Sequence, residues 1–259
     1  MVLTLLFATI SGGLTALLWA GGMSPWWLLP VWIGFYIVTM LVLYALLLGA
    51  LYLFLPRSNP SPRLRRFTHR LIKWVVRWVL VLTGVRYRVT GADKLPDIPY
   101  LLVSNHRSAF DPISALAALK CPLIFVAKPA VLTIPALGPV LGLLCFQAID
   151  RDNARNAVAT IKRSAELIKD AGICVGIYPE GTRSKDGNLL PFHAGSFKIA
   201  KMANCPVVVA TVHYEKRGLW GKRACLHVAD VMDVAYVAEN NTAAMAERAE
   251  TAMRENLGL

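Results

Sequence analysis

The chain has 259 residues, of which 56% are hydrophobic and only 17% charged, and its net charge is +12. Soluble domains carry roughly 45–50% apolar and about 25% charged residues, so a disordered chain is excluded and an ordinary water-soluble enzyme is disfavoured. The length accommodates one large α/β domain, or a modest one joined to a membrane segment. The apolar excess is localised. Residues 1–56 contain no Asp, Glu, Lys, Arg or His, and all 28 basic and 16 acidic residues come after them.

Two apolar runs fill this N-terminal stretch, from about Val2 to Ala20 and from about Val31 to Leu55. Each reaches the ~20 residues that a helix needs to cross a bilayer. Between them, Gly21-Gly22-Met23-Ser24-Pro25-Trp26-Trp27 combines breakers with paired tryptophans and suits an interfacial turn. A signal peptide would carry a positive n-region and a cleavage site before a soluble domain. Neither pattern fits, because a second and longer apolar run comes next. The expectation is a transmembrane or membrane-embedded helical hairpin over residues 1–56, weakened in its first arm by Gly12-Gly13.

From Arg57 to Arg88 nine cations occur before the first acid, Asp93. A basic block can bind nucleic acid, but beside a long apolar segment it fits the anionic cytoplasmic leaflet better. By the positive-inside rule, the block and the domain after it lie on the cytoplasmic face. Residues 57–84 form a second region. At 100° per residue, Leu64, Phe67, Leu71, Trp74, Val75, Trp78 and Leu82 share one face, opposite Arg63, Arg66, Arg70, Lys73 and Arg77. That pattern predicts a helix in the headgroup plane, apolar side down; the alternative is a helix packing its apolar face on the domain. The five cysteines are odd in number and form no CxxC pair, so neither a metal site nor a disulfide framework is expected.

Residues 85–259 read as an α/β domain with a mixed central sheet flanked by helices. The alternation in Val85–Thr90 predicts a strand, and Tyr100–Ser104 a short buried one. Asp111 as N-cap and Pro112 at the first helical position predict a helix to about Lys120. Further strands are expected at Leu123–Ala127, Ile173–Tyr178, Pro206–Tyr214 and Ala224–Val231. Helices are expected over 152–170, with Gly172 just beyond, over Gly195–Met202 and over Thr242–Asn256.

Three constellations carry chemistry. In Asn105-His106-Arg107-Ser108-Ala109-Phe110-Asp111, between a strand and a helix, Asp111 can turn back to one imidazole nitrogen of His106. That contact fixes the tautomer and raises the basicity of the other nitrogen, giving a base for an alcohol. No GxSxG or other evident nucleophile is present, so the attacking alcohol would be the substrate's own. Tyr178-Pro179-Glu180-Gly181-Thr182-Arg183-Ser184 comes after a buried strand, where α/β sheets place ligands, and Arg183 can grip an oxyanion. Arg151, in Ala148-Ile149-Asp150-Arg151-Asp152, precedes a helix and lies where anions are favoured. Lys128, after a strand, is a candidate for a further phosphate contact. The blander readings are a capping Asp with an incidental His, a solvated turn and a surface ion pair.

In order and spacing these blocks resemble the lysophosphatidic acid acyltransferase (PlsC-type) family. Asn105-His106 with Asp111 matches its NHx4D block, Ile149-Asp150-Arg151 its Arg-bearing block and Pro179-Glu180-Gly181-Thr182-Arg183-Ser184 its PEGTRS block. Cys205-Pro206-Val207-Val208-Val209 is similar to its apolar-Pro block, with Ala210 where many members carry Pro. The resemblance covers about residues 85–215. It implies transfer of an acyl chain from acyl-CoA or acyl-carrier protein to the sn-2 hydroxyl of 1-acyl-glycerol-3-phosphate, giving phosphatidic acid. His106 and Asp111 would be catalytic, and Arg151, Glu180, Gly181, Thr182, Arg183 and Lys128 would bind substrate, Glu180 holding a glycerol hydroxyl or bracing Arg183. Amides of the 105–112 loop would hold the oxyanion. No cofactor, metal or nucleic acid is implied; the partners are the two substrates and a bilayer with anionic lipids. Two alternatives stay open: the same chemistry on glycerol 3-phosphate, an ornithine lyso-lipid or another lysophospholipid, and a non-enzymatic lipid-binding module.

Overall fold

The computed structural model describes residues 2–54, 62–134, 137–150, 153–184, 188–217 and 221–259. The chain divides into two compact units, Met1–Ser58 and Asn59–Leu259. In the first, α1 (Val2–Ala20) and α2 (Pro25–Phe54) are apolar on every side, as helices surrounded by apolar material are. They pair through an edge-on contact of Phe7 with Tyr36 at 6.4 Å and a close approach of Gly12 to the Trp32 indole. Ser11 and Thr15 turn their hydroxyls onto the carbonyls of Phe7 and Ser11 at 2.8 and 2.9 Å, as polar groups in apolar surroundings must. Leu17, Trp19, Trp26, Trp27, Leu29 and Leu46 are exposed, an apolar surface larger than water-soluble folds present. Among the described residues one helix is long and apolar enough to cross a membrane, over Pro25–Leu43, whereas the apolar run Leu5–Ala20 is shorter. The connection between the helices is tighter than expected. Pro25 starts α2, so Trp26 and Trp27 lie in its first turn rather than in the linker.

The second unit begins with α3 (Pro62–Leu82), followed by β1 (Val85–Thr90), β2 (Leu101–Ser104), α4 (Phe110–Ala118), β3 (Leu123–Ala127), α5 (Pro129–Leu132), α6 (Leu137–Leu143) and β4 (Gln147–Ala148). Then come α7 (Ala154–Ala171), β5 (Cys174–Ile177), α8 (Lys198–Ala203), β6 (Val207–Arg217), β7 (Gly221–Met232), α9 (Val234–Glu239) and α10 (Thr242–Leu257). Seven strands make one mixed sheet in the order β1-β7-β6-β2-β5-β3-β4. β6, β2, β5, β3 and β4 are parallel; β7 is antiparallel to β6, and β1 is parallel to β7. Both β2 and β5 are buried along their whole length, as central parallel strands are. This is the expected α/β architecture, with α3 and α4 packed near β1, and α10 on β6 and β7.

Several boundaries differ from expectation. α4 starts at Phe110, so Asp111 sits inside the first turn rather than at the N-cap. The helix expected over Gly195–Met202 is a 3-10 turn, Ala194–Phe197, followed by α8. β6 and β7 are longer than their apolar cores suggest, because the outer halves pair only with one another and with β1.

The largest difference concerns α3. The helix meets the domain through Ile72, Val76 and Leu80, positions between the apolar and cationic stripes, with Lys73 beside them. Lys73 Nζ donates to the carbonyls of Leu119, Lys120 and Cys121, the last two at 2.9 and 3.1 Å, and Arg77 Nη2 donates to the Ala117 carbonyl at 3.2 Å. The Ala117 and Leu119 carbonyls end α4 and those of Lys120 and Cys121 follow it, where orphan C=O groups and the negative dipole end attract cations. Leu80 packs in the same interface with Val85, Ala117 and Ala224. At 100° per residue the face of Phe67, Trp74 and Trp78 therefore points away from α4. Arg66 and Arg70 stay exposed.

The parallel strands β2, β5, β3 and β4 all end along one edge of the sheet. The segments that continue from them contain, in spatial order, His106, Glu180 with Arg183, Lys128, and Ile149-Asp150. Open α/β sheets bind ligands at such carboxyl edges.

Candidate active site

The site begins where β2 leaves the sheet. Ser104 pairs with Ala210 as the last rung against β6. The next residue continues the pairing with its side chain: Asn105 Nδ2 donates to the Val212 carbonyl at 3.0 Å, and Val212 N donates to Asn105 Oδ1 at 2.6 Å. The backbone is thus free to turn while the strand end stays pinned. The following residue, His106, is presented at a fixed height.

His106 Nδ1 lies 2.8 Å from Asp111 Oδ2. With a carboxylate there, Nδ1 carries the proton and Nε2 the lone pair. Nε2 bonds to no group among the described residues, and the imidazole is 20% exposed. Asp111 is completely buried and its oxygens are saturated. Oδ2 also accepts from the amides of Arg107 and Ser108 at 2.7 and 2.8 Å, and Oδ1 accepts from the Tyr214 hydroxyl at 2.6 Å. The carboxylate is a hub that fixes the loop and the imidazole together.

The ring is held from its face as well. Tyr178 stacks on His106 with centroids 4.1 Å apart and 14° between planes, and Phe125 stacks on Tyr178 at 5.3 Å and 7°. This column requires Gly176, because a Cβ there would lie 2.3 Å from the Phe125 ring. Burial and the neighbouring Asp111 charge push the Tyr178 phenol well above its ordinary range.

The second constellation closes on the first through the backbone. Glu180 Oε1 accepts from His106 N at 2.8 Å, Glu180 Oε2 from Leu190 N at 3.0 Å, and Ser184 N donates to the His106 carbonyl at 2.9 Å. Glu180 is buried, which raises its carboxyl pKa, an effect opposed by the two amides. Its oxygens thus go to backbone N–H groups and not to Arg183. Gly181, at φ 73°, makes the turn that brings Ser184 back over His106.

The residues expected to bind an anion are less constrained. Lys128 is exposed at the N-cap of α5, and Thr182 and Arg183 are exposed in their turn. Among the described residues neither cation forms an ion pair. Arg151 lies outside the described residues. The loop expected to hold the oxyanion has little left to give: the amides of His106, Arg107, Ser108, Phe110 and Asp111 are all spent on Glu180, Asp111 and Ser108.

Sequence reading missed Asn105 as a clasp, Tyr178 as a platform and Tyr214 as a donor to Asp111. Only Asn105 and Tyr178 adjoin the motifs; Tyr214 has no local signal. One other ligand-rich group exists among the described residues. Atoms of His213, Glu215 and Cys225 lie within 4.8 Å of one another. Arg223 holds Glu215 at 3.1 Å and Arg88 flanks Cys225 in register, so the surroundings repel a cation. All five cysteines are free.

A family model described as Acyltransferase matches residues 86–213. The chloroplastic 1-acyl-sn-glycerol-3-phosphate acyltransferase BAT2 of Brassica napus is 36% identical over 152 residues, covering 58% of this chain and 44% of that protein. The 1-acyl-sn-glycerol-3-phosphate acyltransferase alpha of Homo sapiens is 30% identical over 140 residues, covering 54% and 50%. The chain spans about half the length of the curated relatives it matches. The crystal structure of the 1-acyl-sn-glycerophosphate (LPA) acyltransferase PlsC from Thermotoga maritima shares the fold, with a TM-score of 0.63 at 21% identity over 85% of this chain and 94% of that one. By its matched domain, by these relatives and by the ordered blocks at its sheet edge, the chain is similar to acyltransferases over residues 86–213.

Proposed function

We propose that the protein transfers an acyl chain from a thioester to the sn-2 hydroxyl of 1-acyl-glycerol-3-phosphate, forming phosphatidic acid. The observation that carries this reading is the 2.8 Å contact of His106 Nδ1 with a buried, saturated Asp111, leaving Nε2 unengaged at a sheet edge. His106 Nε2 takes the hydroxyl proton as the alcohol oxygen bonds to the thioester carbonyl carbon. Asp111 stabilises the imidazolium. The tetrahedral intermediate collapses, the C–S bond breaks, and Nε2–H returns its proton to the departing thiolate. Bonds and protons balance without a cofactor.

Arg183 comes after β5 and Lys128 after β3, one and two strands from β2. The strands they follow lie about 5 and 10 Å along the edge from β2, and long cationic side chains can reach from there toward a phosphate bound beside His106. Exposed guanidinium and ammonium groups suit that phosphate, and Arg151 would extend the row beyond β4. With Thr182 and Gly181 they form the acceptor subsite, while Glu180 supports it from beneath.

The apolar helical pair holds the protein in the bilayer, where acceptor and product reside. The cations after Pro56 place the domain on the cytoplasmic face, and anionic lipids supplement the attachment. The test is mass spectrometry of products formed by the purified full-length protein from mixed lyso-lipids, with acyl-CoA or acyl-carrier protein as donor. Phosphatidic acid formed by the wild type and absent with His106→Ala is expected. Acylation of a different acceptor would overturn the substrate assignment, and no acylation with either donor would overturn the reaction.

A further inference from the structure

We infer that Tyr214 is a positioning residue of the reaction: from the projecting end of β6 it sets the proton affinity of the His106–Asp111 pair. The inference rests on the reading of His106 as general base.

β6 runs beyond its neighbour. Ser104, the last residue of β2, pairs with Ala210, so residues 211–217 continue past the catalytic strand end, supported by β7. Asn105 clamps this extension at Val212 through two hydrogen bonds. Two residues further on, Tyr214 faces the same side of the strand as Val212. Its hydroxyl reaches Asp111 Oδ1 at 2.6 Å. The other oxygen, Oδ2, already serves His106 and two amides, so Tyr214 is the one hydrogen-bonding partner of Oδ1 among the described residues. Burial and the Asp111 charge raise the Tyr214 pKa, so at neutral pH it is a fixed O–H donor and not a second base.

A neutral donor on the anion withdraws charge from it. Tyr214 thereby limits how strongly Asp111 attracts the imidazolium. Without that hydroxyl, Oδ1 is a buried oxygen lacking its partner and the carboxylate is more basic. His106 then holds its proton to higher pH.

Two variants test this in the full-length protein. Tyr214→Phe removes one oxygen and preserves the ring. Site-specific replacement of Tyr214 by a ring-fluorinated tyrosine keeps the hydroxyl and strengthens its donation. The primary readout is the His106 imidazole titration by NMR, which does not require turnover. Tyr214→Phe should raise its midpoint by about 0.5–1 unit and the fluorinated residue should lower it, in line with loss and gain of one hydrogen bond to a charged group. The acid limb of the pH–rate profile should move the same way, with kcat down about tenfold at neutral pH in Tyr214→Phe. Unchanged or same-direction midpoints in the two variants would overturn the inference while leaving the base assignment intact. Absence of acyl transfer in the wild type would overturn the function but not the titration result.

Discussion

Along the carboxyl edge of the sheet, the half at β2 and β5 and the half at β5, β3 and β4 are built in opposite ways. On the first, Asp111 accepts four hydrogen bonds, His106 is gripped through its ring, its amide and its carbonyl, and Glu180 spends both oxygens on backbone amides. On the second, Lys128, Thr182 and Arg183 extend into solvent. The difference fits the task proposed for each half. A general base needs one tautomer and one orientation, and disorder in either costs rate directly. A phosphate contact needs a cation that remains hydrated when the site is empty and closes on its anion when it fills; burying it beforehand would cost several kcal/mol.

The largest break in this comparison comes from the base itself. His106→Ala should lower kcat by about 10²–10⁴-fold in a protein that still folds, with a stability loss of about 1–3 kcal/mol from the lost Asp111 hydrogen bond and Tyr178 stacking. Activity assays beside a melting curve check this, and near-normal turnover in folded protein would remove His106 from the chemistry.

Glu180→Gln should affect both properties. An amide offers one accepting oxygen where two backbone N–H groups now bind, so one of His106 N and Leu190 N faces another donor. A loss of about 1–3 kcal/mol is expected, lowering the melting temperature by several degrees and dropping kcat, since the His106 backbone loses its anchor. A Glu180→Gln protein with wild-type stability and a raised acceptor KM would instead place Glu180 on the substrate. The pH dependence has a definite sign. Because the folded-state pKa of Glu180 is raised, its contribution to stability is fully present below the ordinary glutamate range and is lost as pH rises through the folded value. Glu180→Gln should remove that slope.

Arg183→Ala probes the open half. With no ion pair to lose, its stability should change by less than about 0.5 kcal/mol, while acceptor KM rises about tenfold and donor KM stays put. A donor KM that rises alone would move Arg183 to the phosphates of the thioester.

Legibility in the sequence divides along the same line. Strand β1 has the expected bounds, Val85–Thr90, because an alternating exposed strand writes its period into the chain. The His106–Asp111 pair is legible because strand, loop and helix are consecutive. Tyr214 is not legible: its contact with Asp111 spans 103 residues and exists only because β6 pairs with β2 in one register. The role of Glu180 was hidden likewise, since a glutamate in a tight turn looks solvated until the partner loop is in place. For α3 the helical period is legible, but the contact of Ile72, Val76 and Leu80 with the domain is not. Charge opposite an apolar stripe suggests a wet face, yet the carbonyls of Leu119, Lys120 and Cys121 make a half-buried position acceptable for Lys73, while Arg77 reaches Ala117 from the exposed side.

That last point gives the smallest effect and a direct separation of roles within one helix. Lys73 is half-buried, its pKa lowered by burial, and it holds three carbonyls; Arg77 holds a fourth. Arg66 and Arg70, on the same helix, are exposed. Lys73→Ala should cost about 1 kcal/mol or slightly more, because carbonyls at and just beyond the end of α4 lose a charged donor, and should leave salt-sensitive association with anionic vesicles unaltered. A joint Arg66→Ala, Arg70→Ala change should leave stability unaltered and weaken that association, at ~1 kcal/mol per cation near an anionic surface. The measurement is a melting curve and a flotation series, at low and high salt, on each full-length variant. If Lys73→Ala weakens vesicle binding as much as the double variant does, the cation is not committed to α4, and the helix rests on the membrane through the face assigned here to the domain.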